Sequence, residues 1–168
     1  MDSDAFLNKI SEIHRALELD LYNCALALAL TLPDICGKVE FPNENDSKAY
    51  KEWFKKYAEP LFTFPTTVLP GGEIINYTCF TNEECWALRC AVLHAGNYDV
   101  KRIPLSKVSF HAHKRDGKNY SHMVRNTQDA DFDVIDICQK ICNAAEQYYL
   151  NIKDRARFSI DEVRIVVW

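Results

Sequence analysis

Apolar residues recur every three or four positions along most of this chain, which is the spacing of amphipathic helices. Residues 3–31 carry one such stripe and predict a long helix or two helices in tandem. The end is expected near Leu32, because Pro33 disfavours the helical conformation at the residue before it. The following residues, 34–37, are expected to form a turn. Residues 47–57 predict a further helix, with a stripe of aromatic residues that is typical of a core-facing surface: Tyr50, Trp53, Phe54 and Tyr57.

The stretch from Thr81 to Gly96 is apolar on almost every side. Thr81 and Glu84 have the spacing of a capping box, in which the two side chains satisfy backbone N–H groups at a helix start. Gly96 is the usual residue just beyond a helix end. A helix that is hydrophobic all round is a buried one, so we expect this helix at the centre of the fold. Arg89 and His94 interrupt its apolar interior.

The remaining segments predict a small amount of β structure. Residues 59–78 carry three prolines and a Gly-Gly pair, which favours a long irregular connection. Residues 105–126 predict an antiparallel β-hairpin that turns at Asp116 and Gly117, a strong turn signal. Residues 132–151 predict a final amphipathic helix, and the tail VRIVVW has strand composition.

These segments together predict the fold class. We expect a mainly α (α+β) protein, an antiparallel bundle of about four helices with a small antiparallel β-hairpin as an insertion at about 105–126. The chain has 168 residues and shows no internal repeat, so a single domain over residues 1–168 is predicted.

Composition narrows the classes of function. The net charge of −4 argues against a broad, unspecific nucleic-acid binder, although it leaves room for a local basic site. No stretch approaches the ~20 apolar residues that a membrane span needs, and the acidic N-terminus lacks the pattern of a signal peptide. Seven cysteines without a C-x-x-C pair indicate reduced thiols in a cytoplasmic protein rather than a structural zinc site. We therefore predict no cofactor and no metal.

Arg89 and His94 stand five residues apart, in the spacing R-x4-H. Five residues of a regular α-helix place two side chains about 140° apart around the axis. They would meet at one small target only if the helix distorts, if both faces border one groove, or if two copies of the helix pool their side chains. Arg suits a bidentate grip on phosphate, and a His in the last turn of a helix has its cationic form favoured by the helix dipole. The alternative is an Arg paired with a buried acid and a His that contacts a carbonyl group.

Two further sets of residues have competing interpretations. Asp34 is a candidate substrate-binding residue that could pair with Arg89. The alternative is that it is a simple turn residue. His111, His113 and His122 would share one face of the predicted hairpin, where three imidazoles could bind zinc with an open position. The alternative is a solvated polar face opposite a buried one.

The stretch ALRCAVLHAG resembles the signature helix of the HEPN superfamily, all-helical nucleotide-binding domains with an R-x4-6-H motif. The segments ALALTLPDICG and YKEWFKKY and the final helix are similar to those of a bacterial group in that superfamily. The resemblance covers roughly residues 5–150 and does not account for the hairpin. It implies a metal-independent endoribonuclease that works as a homodimer, with Arg89 and His94 as its catalytic residues.

Cys90 marks a departure from that pattern. A polar residue, often Asn, commonly follows the Arg in active members, and here the position is a cysteine. The resemblance therefore carries two expectations. One is cleavage of RNA through attack of a 2′-hydroxyl, and the other is a non-catalytic module that binds a nucleotide, an RNA or a protein.

Overall fold

The computed structural model of the protein describes residues 5–67, 72, 74–100, 105, 107–113, 123–126, 128–152 and 158. Helices dominate these residues, and two small sheets accompany them. The predicted fold class, mainly α with a small antiparallel hairpin, is confirmed. The α-helices are α1 (Ala5–Glu18), α2 (Tyr22–Ala29), α3 (Leu32–Glu40), α4 (Asp46–Trp53), α5 (Asn82–Cys90) and α6 (Val134–Asn151).

The first helical stretch is two helices in tandem, as one of the two alternatives predicted. Asp20 breaks it with a left-handed backbone conformation, at φ 60°. The first helical stretch ends at Ala29, close to the end expected near Leu32. The expected turn at 34–37 is wrong, because α3 begins at Leu32 and continues to Glu40. Pro33 lies in the first turn of α3, where its missing N–H has no intrahelical partner to lose. Proline therefore stands at the start of a new helix just after the previous one has ended.

The aromatic helix at 47–57 is present, with one residue of difference at its start. Its cap is Asn45, whose side-chain oxygen accepts a hydrogen bond from the Lys48 backbone N–H at 2.9 Å. After Trp53 the helix continues as a π-helical turn, Phe54–Ala58, and then as a short 3₁₀ helix, Glu59–Phe62. Tyr50, Trp53 and Phe54 are fully buried, which confirms the aromatic stripe as core.

The antiparallel hairpin lies in the segment expected to be irregular. Thr63–Thr67 (β1) and Ile74–Thr78 (β2) pair with each other in antiparallel register. Pro65 does not prevent this pairing, because β1 is an edge strand of a two-stranded sheet, where proline is tolerated.

The predicted hairpin at 105–126 is corrected in its pairing. Lys107–His111 (β3) and Val124–Arg125 (β4) are strands, but both pair with Asp129–Asp133 (β5), which lies between them. The β3–β5 pair is parallel and the β4–β5 pair is antiparallel. Sequence pattern concealed β5, since its three aspartates are poor strand formers even though Ala130 and Phe132 alternate into the core. The turn at 116–117 and the tail at 163–168 lie outside the described residues.

The centre of the core is α6 rather than α5. Helix α6 packs against α1, α2, α3 and β5, whereas α5 packs mainly against α4. The cap of α6 is Asp133, whose carboxylate accepts the Ile135 backbone N–H at 2.9 Å, so the helix starts two residues later than predicted. In α5 one side is buried, through Cys85, Leu88 and their neighbours, and the other side faces outward with Arg89.

Candidate functional site

The start of α5 is fixed by the predicted capping box. Thr81 Oγ1 accepts a hydrogen bond from the Glu84 backbone N–H, and the Glu84 carboxylate accepts one from the Thr81 backbone N–H at 2.8 Å. Glu84 is almost fully buried, and Arg125 of β4 donates to its other oxygen. This buried ion pair joins the start of α5 to the sheet.

The end of α5 departs from a regular helix at the candidate site itself. After Cys90 the chain forms a π-helical turn, Ala91–Ala95, and the Gly96 backbone N–H donates to the Ala91 carbonyl group five residues before it. Gly96 then closes the turn in the left-handed conformation, at φ 62°. Single π-helical turns within α-helices are frequent at functional sites.

The distortion brings Arg89 and His94 together within one chain. Arg89 Nη1 donates a hydrogen bond to His94 Nε2. A guanidinium group can only donate, so Nε2 of His94 is the accepting nitrogen in this contact. The 140° separation of a regular helix therefore does not apply, and the predicted requirement for a distortion is met by the π turn.

Asp34 completes the cluster from the first turn of α3. Arg89 Nε donates to Asp34 Oδ2 at 3.1 Å, across 55 residues of sequence. Both side chains are 18% exposed, so the pair lies at the boundary between core and solvent. Burial raises the pKa of Asp34 above its usual value, although the Arg89 charge opposes that shift. The interpretation of Asp34 as a partner of Arg89 is the one that the structure bears out.

Two aromatic residues, Trp86 and Tyr50, pack beneath the Arg89 side chain of the cluster formed by Asp34, Arg89 and His94. The Arg89 guanidinium lies 5.2 Å from the centre of the Trp86 ring, a cation–π distance, and Trp86 packs edge-on against Tyr50. The Tyr50 hydroxyl, fully buried, donates to the Leu30 carbonyl group at 3.2 Å and lies 3.2 Å from Cys85 Sγ. Burial raises the pKa of Tyr50 well above its usual value. Trp86 was not predicted as a support for Arg89, although its spacing of three residues from Arg89 on one helix was a signal for this contact.

The cluster is open to solvent on the side of His94, which is exposed, whereas Arg89 and Cys90 are half-buried. Of the five N–H donors that a guanidinium carries, two are used by the contacts with Asp34 and His94. An Arg held in place by a carboxylate and a ring, with three N–H donors beyond these two contacts among the residues that the structure describes, is suited to an anionic ligand beside an exposed imidazole. Cys90 is a free thiol beside it.

The structure describes two of the three hairpin histidines, so the predicted grouping of all three stays a prediction. His111 Nδ1 lies 2.9 Å from Asp131 Oδ1 of β5, which also accepts the Ser109 hydroxyl at 3.0 Å. His113 is exposed, and His122 lies outside the described residues. Within the described residues no group of three or more His, Cys, Asp or Glu side chains could hold a metal ion.

Comparisons with known proteins give no relative: no family model, no curated protein and no solved structure matches this chain. Among the described helices, none is both long and apolar enough to cross a membrane.

Proposed function

We propose that the protein is a metal-independent endoribonuclease whose catalytic residues are Arg89 and His94. The observation that supports this proposal is the π turn at Ala91–Ala95, which places both side chains of the R-x4-H motif in one solvent-facing cluster. Asp34 acts in this proposal as the residue that orients the Arg89 guanidinium through Nε.

The proposed reaction uses the RNA itself as nucleophile. The ribose 2′-oxygen attacks the adjacent phosphorus, the bond from phosphorus to the 5′-oxygen breaks, and a 2′,3′-cyclic phosphate and a 5′-hydroxyl end result. His94 removes the proton of the 2′-hydroxyl or supplies one to the leaving 5′-oxygen. Arg89 stabilises the charge that develops on the phosphate oxygens. DNA lacks the internal nucleophile, so RNA is the substrate class.

In the proposed mechanism, the contact between Arg89 and His94 restrains the base until a phosphate group binds. While His94 Nε2 accepts from Arg89, its lone pair is engaged and cannot accept a proton from a hydroxyl group. A phosphate group that takes over the Arg89 donors would release Nε2 next to the same phosphate. Substrate binding would thus prepare the base at the position where it is needed.

A non-catalytic module that binds a nucleotide, an RNA or a protein is the second candidate. Cys90 favours it, because the polar residue that commonly follows the Arg in active members of the resembling superfamily is missing. The ion pair between Arg89 and Asp34 is compatible with this candidate too, because an Arg fixed in this way can bind a phosphate group without catalysis.

A homodimer and a cytoplasmic location complete the proposal. The geometric reason for a site shared between two copies no longer holds, because one chain brings Arg89 and His94 together. The dimer now rests on the resemblance alone, and sedimentation at micromolar concentration tests it. The seven free thiols support a reducing compartment such as the cytoplasm.

The experiment is cleavage of a mixed-sequence RNA pool in the presence of chelator, followed by analysis of the product ends. We expect cyclic phosphate ends from the native protein and at least a hundredfold slower cleavage by Arg89→Ala and His94→Ala. Arg15→Ala and His14→Ala are matched controls, since they remove the same residue types from the exposed face of α1. A substrate with a 2′-deoxy sugar before the cleaved phosphate should stay intact.

Three results would decide against catalysis. Absence of cleavage at any sequence, equal cleavage by the two site variants and the native protein, or cleavage of the 2′-deoxy substrate each contradicts the mechanism. RNA or nucleotide that binds, stays intact and loses affinity in Arg89→Ala would instead select the binding module. Circular dichroism of each variant shows whether it has kept its fold.

A further inference from the structure

A cleft lies at the opposite end of α3 from Asp34. Glu40, the last residue of α3, borders this cleft of about 440 Å³ together with the π turn after α4 and the C-terminal half of α6. Six residues of helix separate Asp34 from Glu40, about 9 Å along the axis. The volume falls in the usual range for small-molecule sites, about 300–1,000 Å³.

The cleft presents one carboxylate that is held ionised. Glu40 accepts hydrogen bonds from Lys56 Nζ at 2.7 Å, from the Tyr57 hydroxyl at 2.7 Å and from the Tyr148 hydroxyl at 3.0 Å. Burial alone would raise the pKa of Glu40, but these hydrogen bonds outweigh it and lower that pKa. Among the described residues that line the cleft, Glu40 is the charged one. This carboxylate therefore marks a position where an ammonium group can bind, as that of Lys56 does here.

Lys56 shows where an ammonium group can sit at this carboxylate. Its Nζ is bonded to Glu40 Oε1 and lies 4.9 Å from the centre of the Tyr57 ring, so it combines an ion pair with a cation–π contact. Tyr57 and Tyr148 pack against each other at 4.8 Å and fix the two phenol groups around Glu40. The Lys56 side chain is 56% exposed, so it can rotate into water when an external ammonium takes over its contacts with Glu40 and the Tyr57 ring. An external ammonium can then take its place.

The wall formed by α6 offers positions for a second ammonium group. Asn143, Gln147 and Asn151 follow one another at intervals of four residues, so they lie on one face of α6 over about 12 Å. Amide oxygens accept hydrogen bonds from ammonium without adding a charge. The apolar side chains of Leu61, Ala144 and Ile152 also line the cleft and suit a methylene chain.

We infer that this cleft binds a linear aliphatic diamine, with one ammonium on Glu40 over the Tyr57 ring and the other along the amide row of α6. The inference is independent of the proposed ribonuclease activity. It concerns reversible binding, in which the ligand ammonium displaces that of Lys56.

Calorimetric titration of the full chain with cadaverine tests the inference, with pentylamine and pentanediol as the one-ammonium and uncharged comparisons. We expect binding in the order cadaverine, pentylamine, pentanediol. Glu40→Gln should weaken cadaverine at least tenfold, about 1.4 kcal/mol. Lys56→Met should strengthen it several-fold, because the internal competitor is removed.

Matched controls separate the site from the overall negative charge. Glu44→Gln removes one carboxylate from a surface ion pair elsewhere, and Lys55→Met removes the neighbouring lysine, so neither should change the affinity. Equal weakening by Glu44→Gln and Glu40→Gln, or no binding to either the native protein or Lys56→Met, overturns the inference. Equal affinity for pentylamine and cadaverine overturns the role of the amide row.

Discussion

Gly37 sets the distance between α3, which carries Asp34, and α4, which carries Tyr50. A Cβ atom at Gly37 would lie 2.7 Å from the carbonyl oxygen of Ala49, whereas ordinary contact begins at 3.4 Å. Both atoms of the shortest contacts, the Ala49 oxygen and carbon, belong to the backbone of α4. Rotation of a side chain therefore cannot relieve the overlap, and the two helices would have to separate by several tenths of an ångström.

We predict that Gly37→Ala destabilises the protein. Overpacking of a well-packed interior costs about 1–3 kcal/mol, whereas Gly→Ala inside a helix otherwise gains about 1 kcal/mol. The upper part of the cost range applies because two helix backbones are in contact, so a net loss of about 1–2 kcal/mol is expected. For a domain of this size that loss lowers Tm by about 2–8 °C.

The assay is urea denaturation followed by circular dichroism, with Lys38→Ala as the matched control on the same helix. Lys38 is exposed and forms a surface ion pair with Asp46, so its removal should change stability by less than about 0.5 kcal/mol. A Gly37→Ala protein as stable as the native one would refute the close approach of α3 and α4. A more stable one would show that helix propensity alone governs this position.

Two further predictions concern the ends of α5 and α3. Thr81→Ala should lower stability by about 1 kcal/mol in the same denaturation assay, because the capping hydroxyl is lost, while Thr81→Ser should retain most of it; equal loss in both would contradict the cap. Burial raises the pKa of Glu40, but its hydrogen bonds outweigh burial, so the folded-state pKa lies below the usual value of 4.5. The ionised Glu40 therefore stabilises the fold above pH 4.5, and this contribution is lost as the pH falls through the lower, folded-state pKa. The difference in unfolding free energy between the native protein and Glu40→Gln should be constant from pH 7 to about pH 5 and shrink below, and a difference independent of pH down to about pH 3 would contradict this assignment.

Local signals in the sequence predicted local structure well. The capping box at Thr81 and the stop at Gly96 are confirmed, because both depend on backbone groups within a few residues. Pro33 correctly predicted the end of the first helical stretch but not the start of α3, since proline is compatible with both the end of one helix and the first turn of the next. Only the tertiary structure shows that both apply here.

Long-range pairings were the part that sequence reasoning could not reach. A hairpin between β3 and β4 was the simplest pairing of neighbouring segments. The pattern of apolar and polar residues did not indicate that β5 would lie between them. The contact of Asp34 with Arg89 spans 55 residues, so the sequence could suggest this pair but could not establish it. The π turn that unites Arg89 with His94 also depends on packing, which apolar periodicity does not encode.

The π turn at Ala91–Ala95 changes what the spacing R-x4-H means. A π turn holds one residue more than an α turn, so it is equivalent to a single-residue insertion in a regular helix. An Arg and a His four apart on an undistorted helix would lie one turn apart on the same face, as Arg89 and His94 do here. Two chains with spacings that differ by one residue can therefore present the same pair of side chains. Sites of this kind should therefore be compared by the number of helical turns between Arg and His. An alignment without gaps would place the histidine of the chain with one spacing opposite a different residue of the chain with the other.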